Sequence, residues 1–422
     1  MSELQRIVDS VASRVGRSAL IEDRRQRVVV YSEQTEPMDE VRQLSILRRQ
    51  TTAEVIAFFR QAGVQQAKEP IRTLPCEALH MLSRVCIPIW HGDLLLGFVW
   101  FIDPDQSMTD DEITAVSTTT TDLALALYRE NLAGELASQR ETEAIRLLLA
   151  DEQDARQHGA MTLLEEGALT ANGPTTAVVA RLVVTPGSRL DDLARIALEQ
   201  ALVSSRRWLG PHEAVHLVRY DHGLLLVRGK QRRGSPSPHD VAEHLNAALH
   251  TAVRGLPSVA GAVIGVGQPR AELSDVRSSY DEAALAARVA VQLPAVGPVA
   301  FWSQLGIYRV LSQLTGEEMR TASVHPGLER LLDDPTNQPL LETLETYLDL
   351  AGNAHATAHQ MNLHRTSLYY RLQRVEQLAG TNLKDGNERL SLHLALKVAR
   401  LTGRYRATAA PRAVPESSSR TA

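Results

Sequence analysis

Between Leu340 and Gly403 the sequence spaces its apolar residues for helices and breaks them with turn residues at Ala351-Gly352-Asn353 and again ahead of Leu363-His364-Arg365-Thr366-Ser367, the pattern of a helix-turn-helix. Leu341, Leu344 and Leu348 recur at helical spacing, and Gly352 can take the left-handed conformation that stops a helix just beyond its last turn. Asn353 then offers a side-chain oxygen to the free N–H groups of a second helix, Ala354 to Met361. The small residues Ala354, Ala356 and Ala358 permit close approach of a neighbouring helix. After a turn through Asn362 and Leu363, the residues Leu368, Leu372, Val375 and Ala379 fall in a narrow arc of a helical wheel, with Thr366, Tyr370, Gln373, Arg374 and Gln377 opposite. A recognition helix needs this division, because one face stays docked on its predecessor while N-terminal side chains enter the major groove. A further amphipathic helix is expected over Arg389 to Leu401. Double-stranded DNA is therefore the expected partner.

Chemistry suggests roles within the third helix, since Arg can make bidentate contacts with guanine and Gln with adenine, while hydroxyls bind bases or phosphates. Thr366, Ser367, Tyr370 and Arg371 are the groove candidates, and Arg365 and Arg374 flank them as phosphate contacts that would set register. Tyr369 and Gln373 complete the candidate set, and base and phosphate roles can be exchanged within it. For each residue singly, the competing reading is the solvated face of a packed helix. The net charge of -5 does not advertise nucleic-acid binding. Local charge matters more, because fields are screened within about 8 Å at physiological salt.

On Leu340-Leu341-Glu342-Thr343-Leu344, Tyr347-Leu348, Gly352-Asn353, Ala356-Thr357-Ala358, Leu363-His364-Arg365, Leu368-Tyr369-Tyr370-Arg371-Leu372 and Leu390-Ser391-Leu392-His393-Leu394-Ala395-Leu396, the chain resembles the PucR, or CdaR-like, family of bacterial transcription regulators. Tyr369 and Gln373 depart from that pattern, standing where members often carry basic residues, which implies weaker phosphate affinity or a different operator. The resemblance implies a multidomain α+β chain: a GAF-like α/β sensor (1–130), a long connecting helix (131–160), a degenerate GGDEF-like α+β domain (161–315), an all-α helix-turn-helix domain (330–405) and a disordered tail (406–422). Arg84 to Asp93 with Leu96-Gly97-Phe98-Val99-Trp100 looks like the end of a GAF domain, in which His80, Trp90 and Trp100 are pocket candidates against a reading as core.

The residues between support this layout. Ala19 to Ile21 and Val28 to Tyr31 read as a hairpin across Asp23-Arg24-Arg25, and Arg84 to Trp90 pairs with Leu94 to Ile102 across His91-Gly92-Asp93. A helical pattern runs from Asp110 to about Gln157, longer than a typical globular helix, so it is a candidate dimer element and signal conduit. In the middle segment Ala177 to Val184, Ala214 to Arg219, Gly223 to Val227 and Val259 to Val266 read as strands, with helices over Leu190 to Leu202, Val241 to Val253 and Val276 to Val289. The Gly, Ser and Pro loop from Gly229 to Asp240 reads as mobile.

Enzymatic readings are weaker. A functional cyclase carries glycines and carboxylates at the hairpin where this chain has Tyr220-Asp221-His222-Gly223, so loss of that chemistry is expected. His355 and His359 have a zincin's spacing, but Ala356 replaces the general base and no third ligand follows nearby. Gly261-Ala-Val-Ile-Gly-Val-Gly267 opens no helix and reads as strand packing rather than a phosphate loop. Cys76 and Cys86 fit no metal spacing. No catalytic residue, metal or cofactor is expected, and a cofactor site is not identifiable. There is no secretory signal and no apolar run of about 20 residues, so a cytoplasmic protein without a membrane association is expected. The expected assembly is a homodimer controlled by a small-molecule effector or a partner, because two half-sites multiply specificity. A nucleotide-signalling enzyme and a protein-interaction adaptor are the alternatives.

Overall fold

The computed structural model describes residues 2–229, 235–314, 316–322 and 325–406, giving only the backbone of 320–322. The expected tail from Ala407 onward and the central part of the expected mobile loop, 230–234, lie outside these residues. Two compact units emerge, Met1–Gln139 and Arg140–Ala422.

The first unit contains α1 (Glu3–Val15), β1 (Ala19–Asp23), β2 (Val28–Tyr31), α2 (Glu40–Arg48), α3 (Ala53–Gln61), β3 (Ile71–Thr73), β4 (Arg84–His91), β5 (Leu94–Ile102) and the start of α4 (Asp110–Leu148). Its antiparallel sheet has the order β2-β1-β5-β4-β3. Successive strand residues face opposite sides. Ile21, Val85, Ile87, Val99 and Phe101 therefore pack with α1 and α4, whereas Leu20, Cys86, Phe98 and Trp100 pack with α2 and α3.

That second layer contains Trp100, stacked on Phe59 at 4.3 Å between centroids. The three pocket candidates are consequently not gathered together. Trp100 is core, Trp90 is tied to the Ala67 carbonyl at 2.9 Å, and His80 is exposed. Both cysteines are free thiols, Cys86 buried and Cys76 half-buried. Beneath α2 lies a buried polar cluster. Arg84 pairs with Asp39 at 2.6 Å, Arg42 donates to the Trp100 carbonyl at 3.1 Å, and Glu22 accepts from Thr51 at 2.5 Å.

The second unit begins with the end of α4 and α5 (Gln153–Glu165). The expected continuous helix over 131–160 is thus interrupted after Leu148. Ile145, Leu148 and Leu149 sit in the core, and Arg156 satisfies the carbonyls of Ala150 and Asp151, so α5 turns back on α4. Gly159 permits that close crossing, since a Cβ there would lie 2.5 Å from the Ala144 carbonyl oxygen. A paired Arg206–Glu141 contact, at 2.6 and 2.8 Å, ties the end of α4 to α6.

A second sheet follows: β6 (Thr175–Val184), α6 (Asp192–Leu209), β7 (Ala214–Val218), β8 (Gly223–Arg228), α7 (Pro238–Ala252), β9 (Val259–Val266), α8 (Val276–Gln292) and β10 (Val299–Phe301), in the order β10-β9-β6-β8-β7. The expected β7–β8 hairpin forms, closed by Arg219 N–H to the His222 carbonyl at 2.8 Å. The expected loop through Asp240 ends earlier, because Ser237 and Asp240 form a reciprocal cap that starts α7. Helices α6 and α7 cover one face, while α5, α8 and the end of α4 cover the other.

The chain continues through α9 (Tyr308–Leu311), α10 (Gly316–Ala322), α11 (Pro326–Leu332), α12 (Gln338–Asp349), α13 (Ala354–Gln360), α14 (Arg365–Ala379) and α15 (Gly386–Leu401). Among the described residues no helix is long and apolar enough to cross a membrane.

Candidate nucleic-acid interface

Helix α12 ends as its sequence implies. Ala351 and Gly352 take positive φ values of 54° and 79°, and the Gly352 N–H closes back on the Tyr347 carbonyl at 2.8 Å. The Asn353 side chain accepts from the Ala356 N–H at 3.0 Å and starts α13. His364 performs the same service for α14 through the Thr366 N–H, and Gly380 stops that helix in the left-handed conformation.

The docked face of α14 is Leu368, Leu372, Val375 and Ala379, all buried with Leu341, Leu344 and Leu348 of α12 and Leu392, Ala395 and Leu396 of α15. Opposite it, Thr366, Tyr370, Gln373 and Arg374 are exposed, as are Arg365, Ser367 and Tyr369. Tyr370 is 72 % exposed. Arg365 lies over the Tyr369 ring, 5.5 Å from its centroid, so the two form one unit at the start of the helix. Arg374 reaches Gln377 at 3.5 Å.

Arg371 is placed differently from the other candidates. It is half-buried and donates to the Thr343 hydroxyl of α12 at 3.2 Å. On the wheel it borders Leu368 and Val375, which brings its guanidinium beside α12. Thr343 is fully buried and donates onward to the Pro339 carbonyl at 2.6 Å, so Arg371 helps set the angle between the two helices.

A charged clamp that the sequence did not reveal holds α15 against α12. Glu345, nearly buried, accepts from Lys397 at 3.3 Å and from Arg400 at 2.7 Å, and Asp349 accepts from Lys397 and His393, each at 2.7 Å. Burial opposes charge on Asp349, but those hydrogen bonds keep its carboxyl below the usual range. Burial also opposes charge on Lys397, yet Asp349 and Glu345 raise it above its ordinary value. The only available signal was the spacing of Glu345 and Asp349 on one helix and His393, Lys397 and Arg400 on another, which does not announce a pairing.

His355 and His359 are both exposed on α13. At the middle-domain hairpin Asp221 is engaged by Arg181 and, at 2.7 Å, by His222.

Residues 340–398 match the PucR C-terminal helix-turn-helix domain, and residues 151–289 match a GGDEF-like domain. The proline-responsive transcriptional activator PutR of Bacillus subtilis (strain 168) is 20 % identical over 409 residues, covering 94 % of this chain and 96 % of that protein. The DNA-binding transcriptional activator AdeR of the same organism is also 20 % identical, over 405 residues, 94 % of this chain and 92 % of its own. The purine catabolism regulatory protein of that organism is 40 % identical over 65 residues, 15 % of this chain and 12 % of that protein.

Proposed function

We infer that this chain, a DNA-binding transcription regulator of the PucR type, reads its operator through the exposed arc of α14. The observation that carries the assignment is the division of that helix. One face is locked into a four-residue apolar seam, while Thr366, Tyr370, Gln373 and Arg374 are exposed on the other. Thr366, Ser367, Tyr370 and Gln373 contact base edges, and Arg365, with Tyr369 beneath it, and Arg374 contact phosphate. Arg371 acts first as a positioning residue, held on Thr343. Two copies bind two half-sites. Leu125, Leu132 and Leu136 support such a dimer, being 39 %, 43 % and 45 % exposed along α4.

We read the first unit as a GAF-like sensor, supported by its antiparallel sheet with helices on both faces. The GGDEF-like domain is read as non-catalytic, because Asp221 at its hairpin is committed to Arg181 and His222 and no acidic pair stands there. Incubation with GTP and magnesium is expected to yield no cyclic dinucleotide, and clear product would reverse this reading.

Capture of genomic DNA fragments by the full-length protein tests the main assignment. A repeated half-site is expected. Tyr370→Ala should weaken binding to it by about 10- to 100-fold, the range of a lost base contact. Arg374→Ala should weaken all sequences alike and lower the slope of log affinity against log salt by about 1 per site. Absence of any enriched fragment from folded protein, or enrichment indifferent to both substitutions, would favour a protein-interaction adaptor.

A further inference from the structure

In the second unit a cavity of about 430 Å³ opens between β6, the β7–β8 turn, α8 and the residues that follow α9. Tyr280 and Arg288, both lining it, stand eight positions apart on α8. At 1.5 Å per residue their backbone positions are about 12 Å apart along the helix. Between them Val179, Ala284, Leu285 and Ala287 line the wall, and beside Tyr280 the Asp281 carboxylate, paired with Arg277 at 3.7 Å, also borders the cavity.

The two ends differ in chemistry. At one end the polar groups are committed to each other: His222 bonds Asp221 at 2.7 Å and the Tyr280 hydroxyl at 2.9 Å, and Arg181 takes the second oxygen of Asp221. Burial lowers the His222 pKa despite the neighbouring Asp221, so the neutral ring donates from Nδ1 to Asp221 and accepts the Tyr280 proton at Nε2. This chain can still accept and donate one hydrogen bond toward the cavity through the Tyr280 oxygen and the Arg181 N–H groups. At the other end the Arg288 guanidinium meets the Ser312 carbonyl oxygen, and among the described residues no carboxylate is paired with it. Arg288, exposed at the cavity's edge with only a neutral acceptor, is matched by an anionic ligand, since charge-assisted pairs of guanidinium and carboxylate are roughly twice as strong as neutral hydrogen bonds.

We propose that this cavity binds a small elongated organic carboxylate, with its anionic end on Arg288, its apolar body along Ala284, Leu285 and Val179, and its far end at the Asp221–His222–Tyr280 chain. The position also gives the ligand a route to the DNA-reading helix, a step that rests on the role assigned to α14. Leu305, just before α9, and Leu311, the last residue of α9 and next to the cavity wall at Ser312, share a core with Val398 and Leu401 of α15. The same helix sends Leu392, Ala395, Leu396 and Ala399 into the core beneath α14. A carboxylate that draws Arg288 from the Ser312 carbonyl frees the segment 308–313 to repack, and α15 carries the change to the reading head. Control follows if the ligand prefers one of the two arrangements.

Calorimetry on the full-length protein without DNA tests the site, using 4-hydroxyphenylacetate and octanoate as probes and 2-(4-hydroxyphenyl)ethanol as the probe without a carboxylate. Saturable binding of at least one acid is expected, weakened about tenfold or more by Arg288→Ala and abolished by Ala284→Phe, which fills the cavity with Arg288 intact. Thermal melting of both variants establishes that they are folded. Binding of neither acid, or equal binding by the alcohol or by Arg288→Ala, would overturn the proposal. The bound acid is then added to the captured DNA fragment, where operator affinity should change about fivefold or more in the wild type and not in Ala284→Phe. An unchanged affinity would overturn the coupling, whereas acid binding by a protein that captures no DNA would count against the DNA-reading assignment and leave the site standing.

Discussion

Gly265→Val is expected to unfold the second unit at a much lower denaturant concentration than the wild type. A Cβ at Gly265 would stand 2.0 Å from the Ala283 carbonyl oxygen and 2.4 Å from the Ala287 nitrogen, both backbone atoms of α8. The requirement is one of space, since this glycine has no positive φ. Helix α8 lies this close to β9 because its inward face is built from Ala283, Ala286, Ala287 and Ala290. A side chain at Gly265 cannot be absorbed by a rotamer change; the helix must lift, and overpacking against backbone costs on the order of 3 kcal/mol or more. Gly261 lies on the same strand with nothing within 4 Å of its would-be Cβ, so Gly261→Ala should stay within about 0.5 kcal/mol of wild type. Because α15 shares the core beneath α8, DNA binding should be lost over the same denaturant range as the sheet. Equal urea midpoints for the two variants would mean that α8 is free to move and that the close contact does not matter.

The second large effect is on pH dependence. Glu22 is 2 % exposed, and burial raises its pKa from 4.5 to about 7, against the opposing influence of Thr51, Arg84, Arg42 and Trp100. The groups around it are Arg42, itself lowered to about 9 chiefly by burial, Arg84 with its partner Asp39, and the Cys86 thiol, pushed up by burial and by Glu22. The unfolded chain releases the Glu22 proton near 4.5 and the folded chain near 7. Between these values the folded state holds the extra proton, so this residue's contribution is fully present below about pH 4.5 and is lost as pH rises through about 7. At 1.36 kcal/mol per unit the loss is about 3 kcal/mol. Gln keeps the shape and the acceptor for Thr51 but does not titrate. The stability of Glu22→Gln minus that of wild type should therefore rise between pH 5 and pH 8 by up to about 3 kcal/mol, followed by denaturant unfolding of the first unit. A difference that stays flat over that range would show that Glu22 ionises at an ordinary pH in the folded protein.

Much of the reading head was legible without coordinates. The stop at Gly352, the cap at Asn353 and the buried arc Leu368, Leu372, Val375 and Ala379 depend on near neighbours in the chain, and each appears where the periodicity puts it. The glycines of Gly261 to Gly267 read as strand packing, and β9 occupies that stretch through Val266. Which helix they admit was not legible, since Ala283 and Ser279 approach from a separate element. The same limit explains the interruption of the long helix: the pattern of Ile145 and Leu148 continues smoothly in sequence, but the core that captures them and the fit of Gly159 against Ala144 belong to α5 folded back on α4. The guanine-matching chemistry of Arg371 groups it with the groove residues, whereas its hydrogen bond to Thr343, 28 residues away, is set by the packing of α14 on α12.

What the sequence by itself determined is therefore local: helices and strands, their caps, and which arc of α14 is apolar, because period and capping chemistry act over a few residues. Only the tertiary structure decided the rest. It buried the Glu22 carboxylate beneath α2, clamped Glu345 between Lys397 and Arg400, and set Arg288 at the edge of a cavity whose other end holds Asp221, His222 and Tyr280. Charge, pKa and cavity shape are set by atoms distant in sequence and close in space, and a pattern of neighbouring residues carries no record of those distances.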